Sequence, residues 1–364
     1  MTKTLLLSFT VGILSPLYIT AQEPLSQIFR FVNLPASARI SALGGYALGF
    51  TDKDVSLAIM NPASLSGTLQ HQISFQSSKR FGDTKGGDFT YANTFNTIKT
   101  TLWGGVHYMD YGSFTGLDAI GNKTEGFTAK ENAFLIGATR QLHAHYSLGV
   151  ALKYISSSFE QYQSTGLLGD VGVMYHAPDH TTNASLLIKN IGIQTSTYTG
   201  TSEDLPFEIL AGLSRRLKHL PFIYGLTYRY LNRWNLLYYN PQEETGSIFS
   251  NPSNDQNNTL LFVDNLARHL VFSGEFLLGK RENFRLRIGY NHMRRKDLAP
   301  KEYFNLTGVS FGFGFKVYHV RLDYGYAKYH QGGNVHHFGI STDLSEFYTS
   351  KKKEVHTGSI GAKE

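Results

Sequence analysis

From Gln72 onward the chain alternates apolar residues with small or polar ones, position by position. Val309, Phe311, Phe313 and Phe315 oppose Ser310, Gly312, Gly314 and Lys316. Phe284, Leu286, Ile288 and Tyr290 oppose Arg285, Arg287, Gly289 and Asn291, and Val320, Leu322, Tyr324 and Tyr326 oppose Arg321, Asp323, Gly325 and Ala327. A two-residue period sends one set to each face of a strand. If the apolar set meets lipid, then Arg285, Arg287, Lys316 and Arg321 avoid a bilayer midplane that would cost a charge about 2–4 kcal/mol. Fourteen segments of this kind can be marked: 72–81, 87–95, 100–111, 131–141, 145–159, 165–176, 183–190, 207–217, 221–232, 267–279, 284–293, 306–316, 318–330 and 334–343.

The connections sort by parity. Asn96–Lys99, Leu142–Ala144, Ala177–Thr182, Lys218–Leu220, Lys280–Asn283 and the step at Val317 are short. The long ones, Gly112–Lys130, Ile191–Pro206, Arg233–Leu266 and Arg294–Asn305, all fall on the opposite parity. Short periplasmic turns, long outer loops and an even strand count are the pattern of an outer-membrane barrel. A soluble sandwich has no reason to sort its loops this way. The expected fold is all-β: a transmembrane antiparallel β-barrel of about 14 strands.

Composition agrees. Aromatic residues make up 13% of the 364, and glycine contributes 36. There is no cysteine, which removes disulfides, thiolate metal sites and cysteine nucleophiles. The formal charge of +6 is small, and no basic face with a nucleic-acid motif accompanies it. Residues 1–21 read as a cleaved export signal, with Lys3, an apolar run from Leu5 to Leu14 and a small-residue site at Ile19-Thr20-Ala21. Beyond it no stretch approaches the ~18 continuous apolar residues of a spanning helix.

Residues 22–70 differ from everything after them. Ala42, Gly44, Gly45 and Ala47 are small, and Pro35 and Pro62 break short helical patterns. Fourteen tilted strands enclose more space than their own side chains fill. Glycines let a backbone lie close against a wall. This segment is therefore expected to plug the lumen of a barrel spanning 71–344, with 345–364 as a polar tail.

Catalytic signals are weak. Asp52 and Asp54 flank Lys53 without the further acidic positions of a calcium loop. They read as a polar turn. His143 and His145 fall in a short turn, and the adjacent His336 and His337 face opposite sides of a strand, a poor chelating pair. Both pairs read as solvated or interfacial. Gly44-Gly-Tyr-Ala-Leu-Gly49 lacks the Lys-Ser/Thr of a phosphate loop, and Gly212-Leu-Ser214 lacks the second glycine of a nucleophile elbow. Arg294-Arg295-Lys296 is the densest basic loop, and it and Lys351–Lys353 read as solvated runs.

Several stretches resemble the PorQ family of the type IX secretion system, whose barrels are similar to FadL-type transporters. Asn33-Leu-Pro-Ala-Ser-Ala-Arg39, Ala42-Leu-Gly-Gly45 and Asn61-Pro62-Ala63 are shared with the wider group, including PorV. Tyr111-Gly-Ser-Phe114, Gly126-Phe-Thr-Ala129, Asn190-Ile-Gly192 and Leu205-Pro-Phe207 follow. The most specific stretch is Arg287-Ile-Gly-Tyr-Asn-His-Met-Arg-Arg-Lys-Asp-Leu298, continued by Val309–Lys316 and Asp323-Tyr-Gly-Tyr-Ala327. One departure is the Lys-rich tail after Phe347.

The resemblance implies an outer-membrane member of the attachment complex, without cofactor, metal or catalytic residue. It would hold the surface protein PorZ and so support PorU, a sortase-like protease that joins cargo to anionic lipopolysaccharide, alongside PorV. Outer-membrane lipid and lipopolysaccharide are the other expected partners, and nucleic acid is not one. Arg39, Gly44, Gly45, Asn61 and Pro62 would be structural plug residues. Partner contacts are expected on the outer loops, at Asn240, Pro241, Asn251 and Pro252 and at Arg294, Arg295 and Lys296. The alternative is a passive transporter of hydrophobic small molecules.

Overall fold

The computed structural model describes residues 27–66, 69–179, 181–237, 258–299, 305–330 and 333–347. Residues 1–21, expected to be an export signal, most of the tail and the loop residues Asn240, Pro241, Asn251 and Pro252 lie outside them. Fourteen strands form one sheet: β1 Gln72–Lys79, β2 Lys85–Phe95, β3 Thr100–Phe114, β4 Phe127–His143, β5 Tyr146–Phe159, β6 Tyr162–His176, β7 Thr182–Ser196, β8 Glu208–Arg216, β9 Phe222–Tyr228, β10 Leu270–Leu278, β11 Phe284–Asn291, β12 Val309–Val317, β13 Val320–His330 and β14 Gly333–Asp343. Each pairs antiparallel with its sequence neighbours, and β1 also pairs with β14, Phe75 opposite Ile340. The sheet is a closed barrel, as its alternation and loop parity predict.

The wall is turned inside out relative to a soluble core. Phe134, Ile136, Phe272, Phe276, Ile288, Phe311, Phe338 and Ile340 stand exposed on the outside, while Asp88, Glu131, Lys153, Asp170, Glu275 and Arg287 are buried in the lumen. That arrangement suits a bilayer, which solvates the apolar face and leaves the polar residues to satisfy one another inside. Short turns join the strands at one end, at 96–99, 144–145, 177–181, 217–221, 279–283 and 318–319. By the loop rule this is the periplasmic end. The longer outer connections carry α2 (Asn258–Arg268) between β9 and β10 and α3 (His292–Leu298) between β11 and β12, after the plug helix α1 (Ala38–Ala42).

Two expected boundaries shift for identifiable reasons. The seventh strand does not stop at Asn190. Asn190 takes a left-handed backbone (φ 60°), and the strand bulges there against Gly169–Val171 before continuing to Ser196. A bulge inserts an unpaired residue and bends the strand without ending it. The ninth strand ends early, at Tyr228, and residues 233–237 extend no strand. There the chain turns over the barrel end, where the Leu236 N–H donates to Asn265 Oδ1 of α2.

Residues 27–66 fill the lumen, and wall glycines let them in. A Cβ on Gly289 would stand 2.1 Å from the Gly44 nitrogen, and one on Gly149 would stand 2.1 Å from the Pro62 carbonyl carbon. Both clashes are with backbone, which cannot swing aside. Gly149→Val and Gly289→Val should therefore unseat the plug and leave the wall intact. Overpacking costs about 1–3 kcal/mol, so trypsin cleavage within residues 39–53 should accelerate about 5- to 150-fold if it tracks the open population. Both variants should still show the heat-modifiable gel band of a folded barrel.

Candidate functional site

The plug enters near the outer end and descends. The Ile28 N–H donates to the Asp204 carbonyl in the β7–β8 loop (3.0 Å), and Phe31 stacks on His107 of β3 at 5.4 Å. Ser37 caps α1 by accepting from the Ile40 N–H, because the first turn of a helix leaves its donors unpaired. The helix packs against β12 and β13. It ends at Gly44 and Gly45, whose φ values of 90° and 91° exclude a side chain without strain. Lower down, Asn61 ties three points together. Its Nδ2 donates to the Leu48 carbonyl (3.2 Å) and to Ser185 of β7 (2.9 Å), while its Oδ1 accepts from the Ala63 N–H. The Pro62 carbonyl accepts from Thr139 of β4.

The centre of the lumen is ionic. Arg39, buried on α1, donates to Asp52 (2.6 Å), Asp54 (3.2 Å) and Glu275 of β10 (2.8 Å). Arg287 of β11 bridges Glu275 (2.8 Å) and Asp323 of β13 (2.5 Å). Arg285 reaches Asp52 at 3.1 Å. The polar turn at Asp52–Asp54 therefore does hold a cation, the chain's own guanidinium. A second cluster lies toward the outer end. Lys153 pairs with Asp170 (2.7 Å) and donates to Asn190, whose amide in turn donates to Asn33 and to the Pro206 carbonyl. Arg229 pairs with Glu208 (2.8 Å) and lies 3.9 Å above the Tyr46 ring.

The specific stretch at Arg287–Leu298 turns out to grip the plug. Asn291 caps α3 and donates to the Gly44 carbonyl, which also accepts from Arg294. Arg294 is buried and lies 4.0 Å over Tyr329. The basic loop is thus not uniformly solvated, as its charge run suggests. Arg294 faces inward, Arg295 is bonded to Asn305, and Lys296 pairs with Asp264 at 2.8 Å. His337 is also not solvated but buried in the lumen. Sequence reading missed Glu275 entirely. The available signal was a lone charge in a strand otherwise made of apolar and small residues.

Two cavities lie at the periplasmic end, of about 540 and 260 Å³. Asp52 and Arg285 line both, and the larger also takes in Lys99, Arg216 and His176. Their walls mix charged and polar side chains with apolar surface, to which Phe50, Leu65, Ile223 and Leu277 contribute in the larger. Among the described residues no group of His, Asp and Glu is placed to hold a metal ion. At the outer end α2 docks on α3 through Asp264, which accepts from Arg268 (3.0 Å), Lys296 and His292 (3.2 Å). Burial pushes the Asp264 carboxyl up, but the hydrogen bonds from Lys296, Arg268 and His292 outweigh it and hold it at about 2.

Fold and filled lumen together define a plugged, closed, 14-stranded antiparallel β-barrel. Solved structures of that fold include a deltaS2S3 mutant of the TodX monoaromatic hydrocarbon channel. It shares 11% identity at a TM-score of 0.52, over 84% of this chain and 98% of that one. The CymD monoaromatic hydrocarbon channel shares 13% at a TM-score of 0.50, over 85% and 97%. At this identity the likeness is one of fold. No protein-family profile matches the chain, and no curated protein matches its sequence.

Two outcomes are expected. Arg39→Met strands Asp52, Asp54 and Glu275 without their shared cation. Breaking a buried pair costs about 3–5 kcal/mol, and urea unfolding in lipid should show a loss of that order. Arg39→Lys should restore little, because an ammonium cannot fork among three carboxylates. The contribution of Asp264 is present above its ordinary value of 3.8 and is lost as pH falls toward 2. The hydrogen-exchange protection of α2, measured against the intrinsic rate at each pH, should fall over that window, and Asp264→Asn should show the lower protection already at neutral pH.

Proposed function

We propose that this chain is a non-enzymatic outer-membrane scaffold of the PorQ kind. It anchors a PorZ-like surface protein and so supports PorU-mediated attachment of cargo to anionic lipopolysaccharide, with PorV in the same complex. The observation that carries the reading is the junction between α3 and the plug. The stretch that most resembles PorQ, Arg287–Leu298, binds Gly44 through Asn291 and Arg294. It joins the Arg39 cluster through Arg287 and Glu275. A barrel whose plug is pinned by paired charges is built to stay closed, and a closed barrel offers its outer loops.

The loop between β9 and β10 is the longest of these, and it holds Asn240, Pro241, Asn251 and Pro252. Replacing residues 238–257 by a short Gly-Ser linker should release the surface partner from detergent-solubilised barrel while the barrel still assembles. Recovery of the partner undiminished would move the contact elsewhere.

The second reading, a passive transporter of hydrophobic molecules, is favoured by the fold shared with TodX and CymD, which are monoaromatic hydrocarbon channels by name. The charged groups in both cavities, Asp52 and Arg285 among them, weigh against it. Under the scaffold reading, toluene uptake by cells should be the same with and without the chain. A saturable increase that Gly289→Val abolishes or enhances would favour transport.

A further inference from the structure

α2 is an inverted amphipathic helix. Its side toward the protein is polar: Asn265 and Arg268 are buried, and Asp264 binds α3. Its side away from the protein is apolar: Leu260 is 67% exposed, Phe262 55% and Val263 53%. A helix on a water-facing surface has the opposite polarity. This pattern belongs to a helix whose outer face meets hydrocarbon.

The wall beneath it makes that placement possible. β3 to β7 run 14–17 residues, but β8, β9, β10, β11 and β12 have only 9, 7, 9, 8 and 9, and β1 has 8. Seven residues extend roughly 23 Å, and a strand tilted by 35–45° gains still less height, short of the ~25 Å apolar band of such barrels. Among the described residues, backbone pairing runs on past Tyr228 only through the Arg229 N–H to the His269 carbonyl and the Leu231 N–H to the Ile209 carbonyl, so the chain leaves β9 close to membrane level, and α2 returns directly into β10.

An aromatic stack through the buried His269 ties this face to the wall. Tyr228, at the outer end of β9, faces outward beside Leu270. His269 stacks on Tyr228 (4.7 Å), Trp234 on His269 (5.4 Å), and Phe262 of α2 lies 5.4 Å from Trp234. Trp234 is 49% exposed. Tryptophan and tyrosine favour the headgroup level. Lys296 on the neighbouring α3 pairs with Asp264 yet is 46% exposed, which leaves its other donors open to an anionic headgroup.

We propose that α2 is a membrane-embedded interfacial helix. Leu260, Phe262 and Val263 lie in the outer leaflet and complete the apolar belt where β8–β11 leave the wall low. The occupant of this face is lipid, and the partner surface of the preceding loop lies elsewhere on it.

Trp234 reports the outcome directly, since the chain's other tryptophan, Trp103, is buried in the lumen. The full chain is reconstituted in phosphatidylcholine vesicles carrying bromine at acyl carbons 6,7 or 11,12, with W234F supplying the Trp103 background. Trp234 emission should be quenched more by the shallow bromines than by the deep ones, and acrylamide should reach it poorly. Adding a fraction of anionic phosphatidylglycerol should deepen the quenching, and Lys296→Gln should remove that increment. Leu260→Glu with Phe262→Glu should abolish lipid quenching while the heat-modifiable band persists. Efficient acrylamide quenching with no bromine effect would overturn the proposal, leaving the face for water or for a protein partner.

Discussion

The structure depends on a cation that has nowhere to go. Arg39 sits on a single helical turn inside the barrel, and its charge is met by Asp52 and Asp54 from the plug and Glu275 from the wall. Arg287 carries the cluster on to Asp323, and Arg285 and Arg321 stand over the same acidic pair. Three guanidiniums (Arg39, Arg285, Arg287) thus pair with four carboxylates (Asp52, Asp54, Glu275, Asp323), and Arg321 lines the same cavity as Asp52 and Asp54. Buried ions are tolerated only when paired and hydrogen-bonded. Neither plug nor wall is self-sufficient here: each holds charges that the other must neutralise. Such an arrangement adds little net stability over an apolar core, but it penalises every other seating of the plug.

The glycines do the complementary work. The cluster fixes direction; the wall glycines fix distance. Gly212, Gly225, Gly289 and Gly325 each face a plug atom so closely that a methyl group would collide. Backbone-to-backbone approach of this kind brings the Gly44 carbonyl within reach of both Asn291 and Arg294. The motifs at Gly44–Gly45 and at Arg287–Leu298, some 250 residues apart, are therefore two halves of one contact.

Most of the wall was legible in the sequence because a bilayer leaves a strong mark. Each strand needs one apolar face, and each short turn needs only a few residues, so periodicity and loop parity locate all fourteen strands. What remained hidden was pairing across the lumen. Arg287 and Lys316 look alike in their alternation, as inward cations. Only the folded register shows that one is fully buried between Glu275 and Asp323 while the other reaches Glu346 at the rim. The burial of Arg294 could not be read either. Its neighbours Arg295 and Lys296 suggest a solvated run, and its inward turn depends on Asn291 starting a helix at that point. Asn190 misled in the other direction, since a bulge and a strand end look the same in one dimension.

The unequal height of the wall bears on function. β3–β7 rise well beyond what a bilayer requires, whereas β8–β11 barely cross it. A barrel sealed by charges gains nothing in permeability from such a tilted rim. It does gain a platform: tall strands on one side, a lipid-level helix on the other, and the longest loop springing from the low side. A surface protein seated on that slope would contact the barrel and the membrane together, and its orientation would be fixed by both. A plain channel needs no such asymmetry around its mouth, and this, more than the fold, separates the scaffold reading from the transport one.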